Sequence, residues 1–377
     1  MQELREYNID TRLGKAKWGQ EKRLNLDCLG PRQTNRCLFE WLAYKLLALR
    51  LMRNQPTFTL QRFMFGLPAG LRRLRLARAL GLGVWRTSRH ALEFDHGRLV
   101  GDIRDRAVLN ALVQKRYEDY GYFKLAKNLL HAGGVHLDVG ANFGFHTFGL
   151  LSEPALRSLL FVMVEANPIC CECLDVSQGF YPDVRFRLMP HAAGSAESRL
   201  QLVFEMEAVG SGFIRGAAPG ATPLTGAGVK EVRCRRLDEA LAEAGIENVQ
   251  LMKMDIEGSE VDALGGAHRF LAEGRVAFIY FEVNGTALQR RQTSAAQLIQ
   301  QVRDAGYQLF WPHDDLHWLQ TVCGREFDRR EEKFARLPGP DGLLATVFDP
   351  ARHILAADAQ LDLLAVHPAQ KLEIIPG

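Results

Sequence analysis

No apolar run in this 377-residue chain reaches the roughly 18 to 20 residues that a membrane-crossing helix needs, so no such helix is expected. The first residues, Met1-Gln-Glu-Leu-Arg-Glu6, carry acids where a secretory leader would have basic and apolar regions. Seven cysteines, an odd number without regular spacing, make a disulfide framework implausible and point to a reducing, cytoplasmic setting. The Gly-x-Gly-x-x-Gly loop of a dinucleotide binder is also missing its middle glycine, which weakens an NAD or FAD reading. No extreme of composition stands out: apolar content of 47% and charged content of 24% are ordinary for a globular protein with a sizeable core.

What is present begins at Val135–Val139, a buried strand that runs into the loop Gly140-Ala-Asn-Phe-Gly144, with a helix expected from about Phe145. Gly140 and Gly144 let the backbone turn sharply and approach a ligand. Asp138 sits near the carboxyl end of that strand, where open α/β sheets bind ligands. A second buried strand, Leu159 to Glu165, ends in an acid placed to accept hydrogen bonds from ribose hydroxyls. Together the two favour S-adenosylmethionine, a nucleoside cofactor without phosphate. A third strand, Val249 to Met254, leads into Asp255-Ile-Glu-Gly258. An extended backbone there would point Asp255 and Glu257 to one side.

Leu137-Asp-Val-Gly-Ala-Asn-Phe-Gly144, Val164-Glu-Ala-Asn-Pro168 and Lys253-Met-Asp-Ile-Glu-Gly258 together resemble the FkbM family of S-adenosylmethionine-dependent methyltransferases. The resemblance runs from about Tyr117 to Phe348, and Ala166 departs from the proline that is usual at its position. It implies a Rossmann-like, doubly wound, seven-stranded methyltransferase sheet. It also implies S-adenosylmethionine as cofactor and methyl transfer to oxygen on a sugar, glycan or secondary metabolite. Asp138, Gly140, Asn142, Gly144, Glu165, Asn167, Ala192 and Asp255 are the expected cofactor residues. Glu257, Asp255 and His146 are the expected catalytic ones, with Glu257 given the role of general base. An Asp-Ile-Glu-Gly sequence stands where base N-methyltransferases carry an Asn-Pro-Pro-Tyr-like tetrapeptide, which favours a hydroxyl acceptor over an amine or nucleic acid. A protein of this fold that binds without turnover is the reading from another class, and intact acids in all three motifs argue against it.

The alternation of apolar and polar segments divides the chain into three parts: 1–100, a basic, mainly helical extension; 101–350, the methyltransferase domain; and 351–377, a C-terminal tail. The first hundred residues hold nineteen Lys or Arg against eight Asp or Glu, and the rest 28 against 36. Such a basic segment suits an anionic partner or membrane surface, although a solvated helical face explains it as well. Within the domain the pattern predicts one helix over 109–131, strands at 184–188 and 275–283, and helices from Leu237, Ser259 and Ser294. It also predicts an antiparallel pair, 307–311 with 343–348. Asn167 should cap the helix that Pro168 opens. Gly210-Ser-Gly212 and the stretch to Gly228 read as a long loop over the substrate. Cys170, Cys171 and Cys173 spread around a helix and read as packing, and no metal site is expected.

Overall fold

The computed structural model describes residues 89–376 except 96, 116, 118, 206–207, 216–226 and 314. The expected helices of the extension and the tip of the Gly/Pro-rich loop lie outside the described residues. The chain divides into two units, 1–87 and 88–377, of which the second is described here.

The unit opens with a hairpin, β1 (Arg89–Phe94) and β2 (Gly97–Asp102). The hairpin packs on the domain: Val100 N–H donates to Ser177 Oγ (2.8 Å), and Tyr181 Oη accepts from Arg98 N–H (2.7 Å). The expected boundary at residue 100 therefore falls inside a hairpin. Two helices follow where one was expected, α1 (Arg106–Gln114) and α2 (Tyr120–Leu129). Each has its own acid cap, Asp105 and Asp119, and Lys115 adopts a left-handed φ of 53° between them, which ends the first helix. Next come β3 (Val135–Val139), α3 (Phe145–Gly149), β4 (Leu160–Val164), α4 (Pro168–Gln178) and β5 (Arg185–Met189). Asn167 caps α4 through Ile169 N–H, with Pro168 in its first turn, as the sequence predicts.

A separate four-stranded sheet then forms from β6 (Ala192–Ala193), β7 (Ser198–Glu205), β8 (Ala208–Ile214) and β9 (Ala227–Arg235), in the order β6-β9-β7-β8. Gly210 to Gly212, expected in a loop, lie within β8. The register explains this: Val203 pairs with Phe213 and Leu202 with Ile214, so apolar residues flank the glycines and hold them in an extended backbone.

The chain returns to the main sheet through α5 (Leu237–Glu243) and β10 (Val249–Met254). It continues through α6 (Glu260–Gly266), α7 (His268–Ala272), β11 (Val276–Asn284), α8 (Gly285–Arg290), α9 (Ala295–Asp304) and β12 (Gln308–Trp311). Last come α10 (His317–Cys323), β13 (Lys333–Arg336), β14 (Leu344–Val347), β15 (Gln360–Val366) and β16 (Glu373–Pro376).

Among the described residues the main sheet has ten strands, in the order β16-β13-β14-β12-β15-β11-β10-β3-β4-β5. Strands β5, β4, β3, β10 and β11 are parallel, and β15 runs antiparallel between β11 and β12. Seven strands were expected. The count rises because β14, β13 and β16 extend the sheet beyond β12. The segment 351–377 is no tail either, since β15 is a buried interior strand with Leu363, Leu364 and Ala365 fully covered.

Period-two alternation sends side chains to both faces of the parallel strands. Leu251, Phe278 and Tyr280 join a core with α1, α2, α3, α4 and the hairpin. Met252, Ile279 and Phe281 join one with α5, α6, α7, α9 and α10. From β3 the chain runs outward to β4 and β5, then returns to β10 on the other side. The carboxyl ends of β3 and β10 therefore flank a topological switch point, where a doubly wound sheet opens a crevice.

Candidate active site

A cleft opens at that point, walled by the loops after β3, β4 and β10 and covered by β8. Gly140 shows why its sequence position admits no side chain: φ is +81°, and a Cβ there would stand 2.0 Å from the Asp255 carbonyl oxygen. The loop is pressed against the end of β10, and Asp255 N–H donates to Val139 O (3.1 Å) to hold it. Asn142, also left-handed at φ 54°, directs its N–H to Glu165 Oε2 (2.7 Å), while Asn167 N–H donates to Glu165 Oε1 (2.7 Å). Glu165 thus spans the two loops, and burial pushes its carboxyl up despite those hydrogen bonds.

Of the expected site residues, Gly140, Asn142, Glu165, Asn167, Ala192, His146, Asp255 and Glu257 line the cleft. Asp138 and Gly144 are not among the lining residues. Asp138 is fully buried, accepts from Thr147 Oγ1 (2.8 Å) and pairs with Lys253 Nζ (3.4 Å). Its carboxylate is spent on fixing the strand end behind the cleft. Gly144 stands against the ring of Phe148, 2.5 Å from where a Cβ would lie, and lets α3 begin. The Asn167 side chain is likewise occupied, capping α4 and donating to Val209 O (3.0 Å).

Lys253 ties the wall together. Its ammonium lies 3.1 Å from Gly140 O, 3.4 Å from Asp138 and 3.7 Å from Asp255. Burial pulls the lysine's pKa down, yet Asp138 and Asp255 reverse that and hold it above its ordinary value, so the group is charged. Asp138 in turn is lowered: burial pushes it up, but Lys253, the two histidines His136 and His146 and the Thr147 hydroxyl together outweigh that.

Asp255 and Glu257 do share the cleft, but a turn brings them there rather than strand alternation. β10 ends at Met254, Glu257 has φ 54° and Gly258 has φ 99°. A left-handed glutamate costs about 1 kcal/mol or more, and such strain collects at functional sites. Glu257 accepts a hydrogen bond from Ser211 of β8, with Arg290 nearby. Its carboxyl is raised by burial and then by Asp255. Neither acid caps the following helix. That helix has no side-chain cap, and Glu260 at its start folds back on the turn instead, accepting from Ile256 N–H (3.0 Å) and Gly258 N–H (3.3 Å).

His146 lines the cleft from α3, its Nε2 2.6 Å from Asp119 Oδ2. Burial pushes the Asp119 carboxyl up, but the hydrogen bond and charge of His146, the Tyr122 N–H and Lys253 together outweigh it, and the net shift is downward. Asp119, Lys253 and Ser211 are the residues that sequence reasoning gave no site role. Lys253 stood in a recognised motif and could have been paired with Asp138. Asp119 was hidden in an apparently continuous helix.

His191 donates from Nδ1 to Ala192 O (3.0 Å), because a carbonyl can only accept. Its Nε2 is then a bare acceptor, buried, without a protein partner, in the lining of the same cleft. Cys170, Cys171 and Cys173 are buried, and burial pushes the thiols of Cys171 and Cys173 up to about 12, as packing residues would be. No group of three His, Cys, Asp or Glu stands ready for a metal among the described residues, and no described helix is long and apolar enough to cross a membrane.

Residues 138–309 match the family model described as Methyltransferase FkbM domain. A curated relative, 2-O-methyltransferase NoeI of Sinorhizobium fredii (strain NBRC 101917 / NGR234), is 39% identical over 61 residues, 16% of this chain and 24% of that protein. The chain thus spans about a quarter of that relative's length. A solved structure of methyltransferase FkbM from Methylobacillus flagellatus KT is 21% identical, covering 50% of this chain and 43% of that one, with a TM-score of 0.34. Precorrin-6y C5,15-methyltransferase from Geobacter metallireducens GS-15 is 10% identical over 66% of this chain and 89% of its own, with a TM-score of 0.32.

Proposed function

We propose, on the premise that residues 138–309 belong to the FkbM methyltransferase family, that this chain methylates a hydroxyl of a sugar, glycan or secondary metabolite with S-adenosylmethionine. The observation that carries the reading is the meeting of the Gly140 loop with Asp255 and Glu257 in one cleft. The loop gives a cofactor backbone contact without side-chain obstruction, and the acids stand where an acceptor hydroxyl would approach.

The residues present fit the cofactor. Gly140 leaves room for close approach, and Glu165 offers carboxylate lone pairs beside the loop. The bare Nε2 of His191 lacks a donor that an exocyclic amine would supply. The bound cofactor supplies an electrophilic methyl group, so the protein's part is alignment, exclusion of water and removal of one proton. An aliphatic hydroxyl holds its proton far above neutral pH, so a base must take it, and Glu257 and His146 are among the groups on the cleft wall able to do so. The 2-O-methyltransferase named above supports an oxygen acceptor over the 61 residues it shares.

Calorimetric titration with S-adenosylmethionine should give a saturable heat. Tritiated methyl should then pass to members of a panel of methyl glycosides and polyols. Absence of binding at millimolar ligand overturns the enzyme reading, and binding without transfer to any acceptor turns the weight to a non-catalytic binding protein.

A further inference from the structure

We propose that Asp119 is a positioning residue that holds His146 in the tautomer able to accept the acceptor's proton, which makes His146 rather than Glu257 the general base. The proposal rests on the methyl-transfer reading above and names the group that completes it.

The geometry starts from a broken helix. Apolar spacing continues from α1 into α2, yet the chain leaves the helix at Lys115 and re-enters it at Tyr120 with Asp119 as cap, which sets Asp119 against His146 of the cleft wall. A local rule broken at a cleft is a signature of function. Both carboxylate oxygens of Asp119 are assigned. Oδ1 accepts from Tyr122 N–H (3.2 Å) and caps α2, and Oδ2 meets His146 Nε2 at 2.6 Å. A carboxylate only accepts, so Nε2 carries the hydrogen, and in the neutral ring Nδ1 is left with its lone pair. Aromatic rings hold the imidazole edge-on, Tyr122 at 4.8 Å and Tyr117 at 5.4 Å between centroids. Glu257 by contrast has its carboxylate engaged by the Ser211 hydroxyl, while burial and Asp255 leave its carboxyl raised.

In the step, Nδ1 takes the acceptor O–H proton as the oxygen bonds to the methyl carbon and the carbon–sulfur bond breaks. The positive charge lost from sulfur ends on the imidazolium, beside the Asp119 carboxylate that stabilises it. The other ionisable groups around the ring are Tyr117 and Tyr122, His136 and Asp138 on β3, and Asp362 on β15.

Nitrogen-15 spectra of the full chain, labelled at histidine and saturated with S-adenosylhomocysteine, test the tautomer directly. The His146 signal, assigned by its loss in His146→Gln, should show hydrogen on Nε2 and a bare Nδ1. Asp119→Asn keeps a good cap for α2, and should populate the opposite tautomer without lowering the melting temperature. In the panel assay it should lower kcat by about 10²- to 10⁴-fold with acceptor KM and cofactor affinity held, and Asp119→Glu should recover part of that loss. Glu257→Gln should raise acceptor KM and keep the acidic limb of the kcat profile. Hydrogen on Nδ1 in the unaltered protein, full kcat in Asp119→Asn, or loss of the acidic limb in Glu257→Gln each overturns the proposal. If the unaltered protein binds cofactor and methylates nothing in the panel, the methyl-transfer reading fails, and the nitrogen spectrum still decides the pairing.

Discussion

Gly140 is the residue at which backbone conformation, packing and ligand access meet. Its φ of +81° and the Asp255 oxygen 2.0 Å from a built Cβ together leave a substituted residue two ways to fail. Gly140→Ala should therefore lose about 1–3 kcal/mol of stability and weaken S-adenosylmethionine binding at least tenfold. Thermal denaturation and calorimetry check this, and an unchanged melting temperature would show that the loop yields without cost. This residue was legible in the sequence because a glycine directly after a buried apolar strand marks a sharp turn with a bare backbone. The role of Asp138 was not, since its partner Lys253 lies over a hundred positions away and no local pattern links them. The sequence placed an acid at the strand's end correctly, but only the fold shows that the acid faces a buried ammonium instead of the cleft. Asp119 was missed for a different reason: its neighbours keep helical spacing, and a cap in mid-pattern leaves no signature in hydrophobic periodicity.

The pairing of β11 with β15 sets Glu282 directly opposite Asp362, two acids where a sheet prefers opposite charges. Burial and then the charge of Asp255 push Glu282 up to about 8 and Asp362 up to about 7. Both folded values lie above the ordinary ones of 4.5 and 3.8, so folding favours the protonated forms. The stability that this pair contributes is complete below about pH 4 and is lost as pH rises through about 7 and 8. Glu282→Gln keeps an acceptor for Gln360 Nε2 and removes one titration. Its melting temperature should fall less between pH 5 and pH 8.5, roughly the span of the titration, than that of the unaltered protein. Equal falls would show that the two carboxyls do not titrate in this window. Strands β3, β4, β10 and β11 were readable as elements from their apolar runs, and β5 from its alternation of polar and apolar residues. The neighbour of β11 was not, because strand order depends on contacts far apart in sequence.

At the scale of the molecule, β15 decides whether residues 88–377 fold as one unit. It lies between β11 and β12, and Leu361, Leu363, Leu364 and Val366 are all buried. At about 1.5–3 kcal/mol for each such side chain, their removal takes away about 6–12 kcal/mol, comparable with the whole stability of a typical domain. It would also leave the edges of β11 and β12 unpaired, open to association with other chains. Deleting 351–377 should therefore abolish the cooperative thermal transition and the binding of S-adenosylmethionine together. Deleting 1–87 removes the other unit and should leave residues 88–377 with a cooperative transition and unchanged cofactor affinity. Differential scanning calorimetry and titration of both truncations separate the outcomes. A cooperative transition in the first would make β15 a dispensable addition to the sheet. Loss of the transition in the second would make the basic segment part of the folding unit rather than an extension of it.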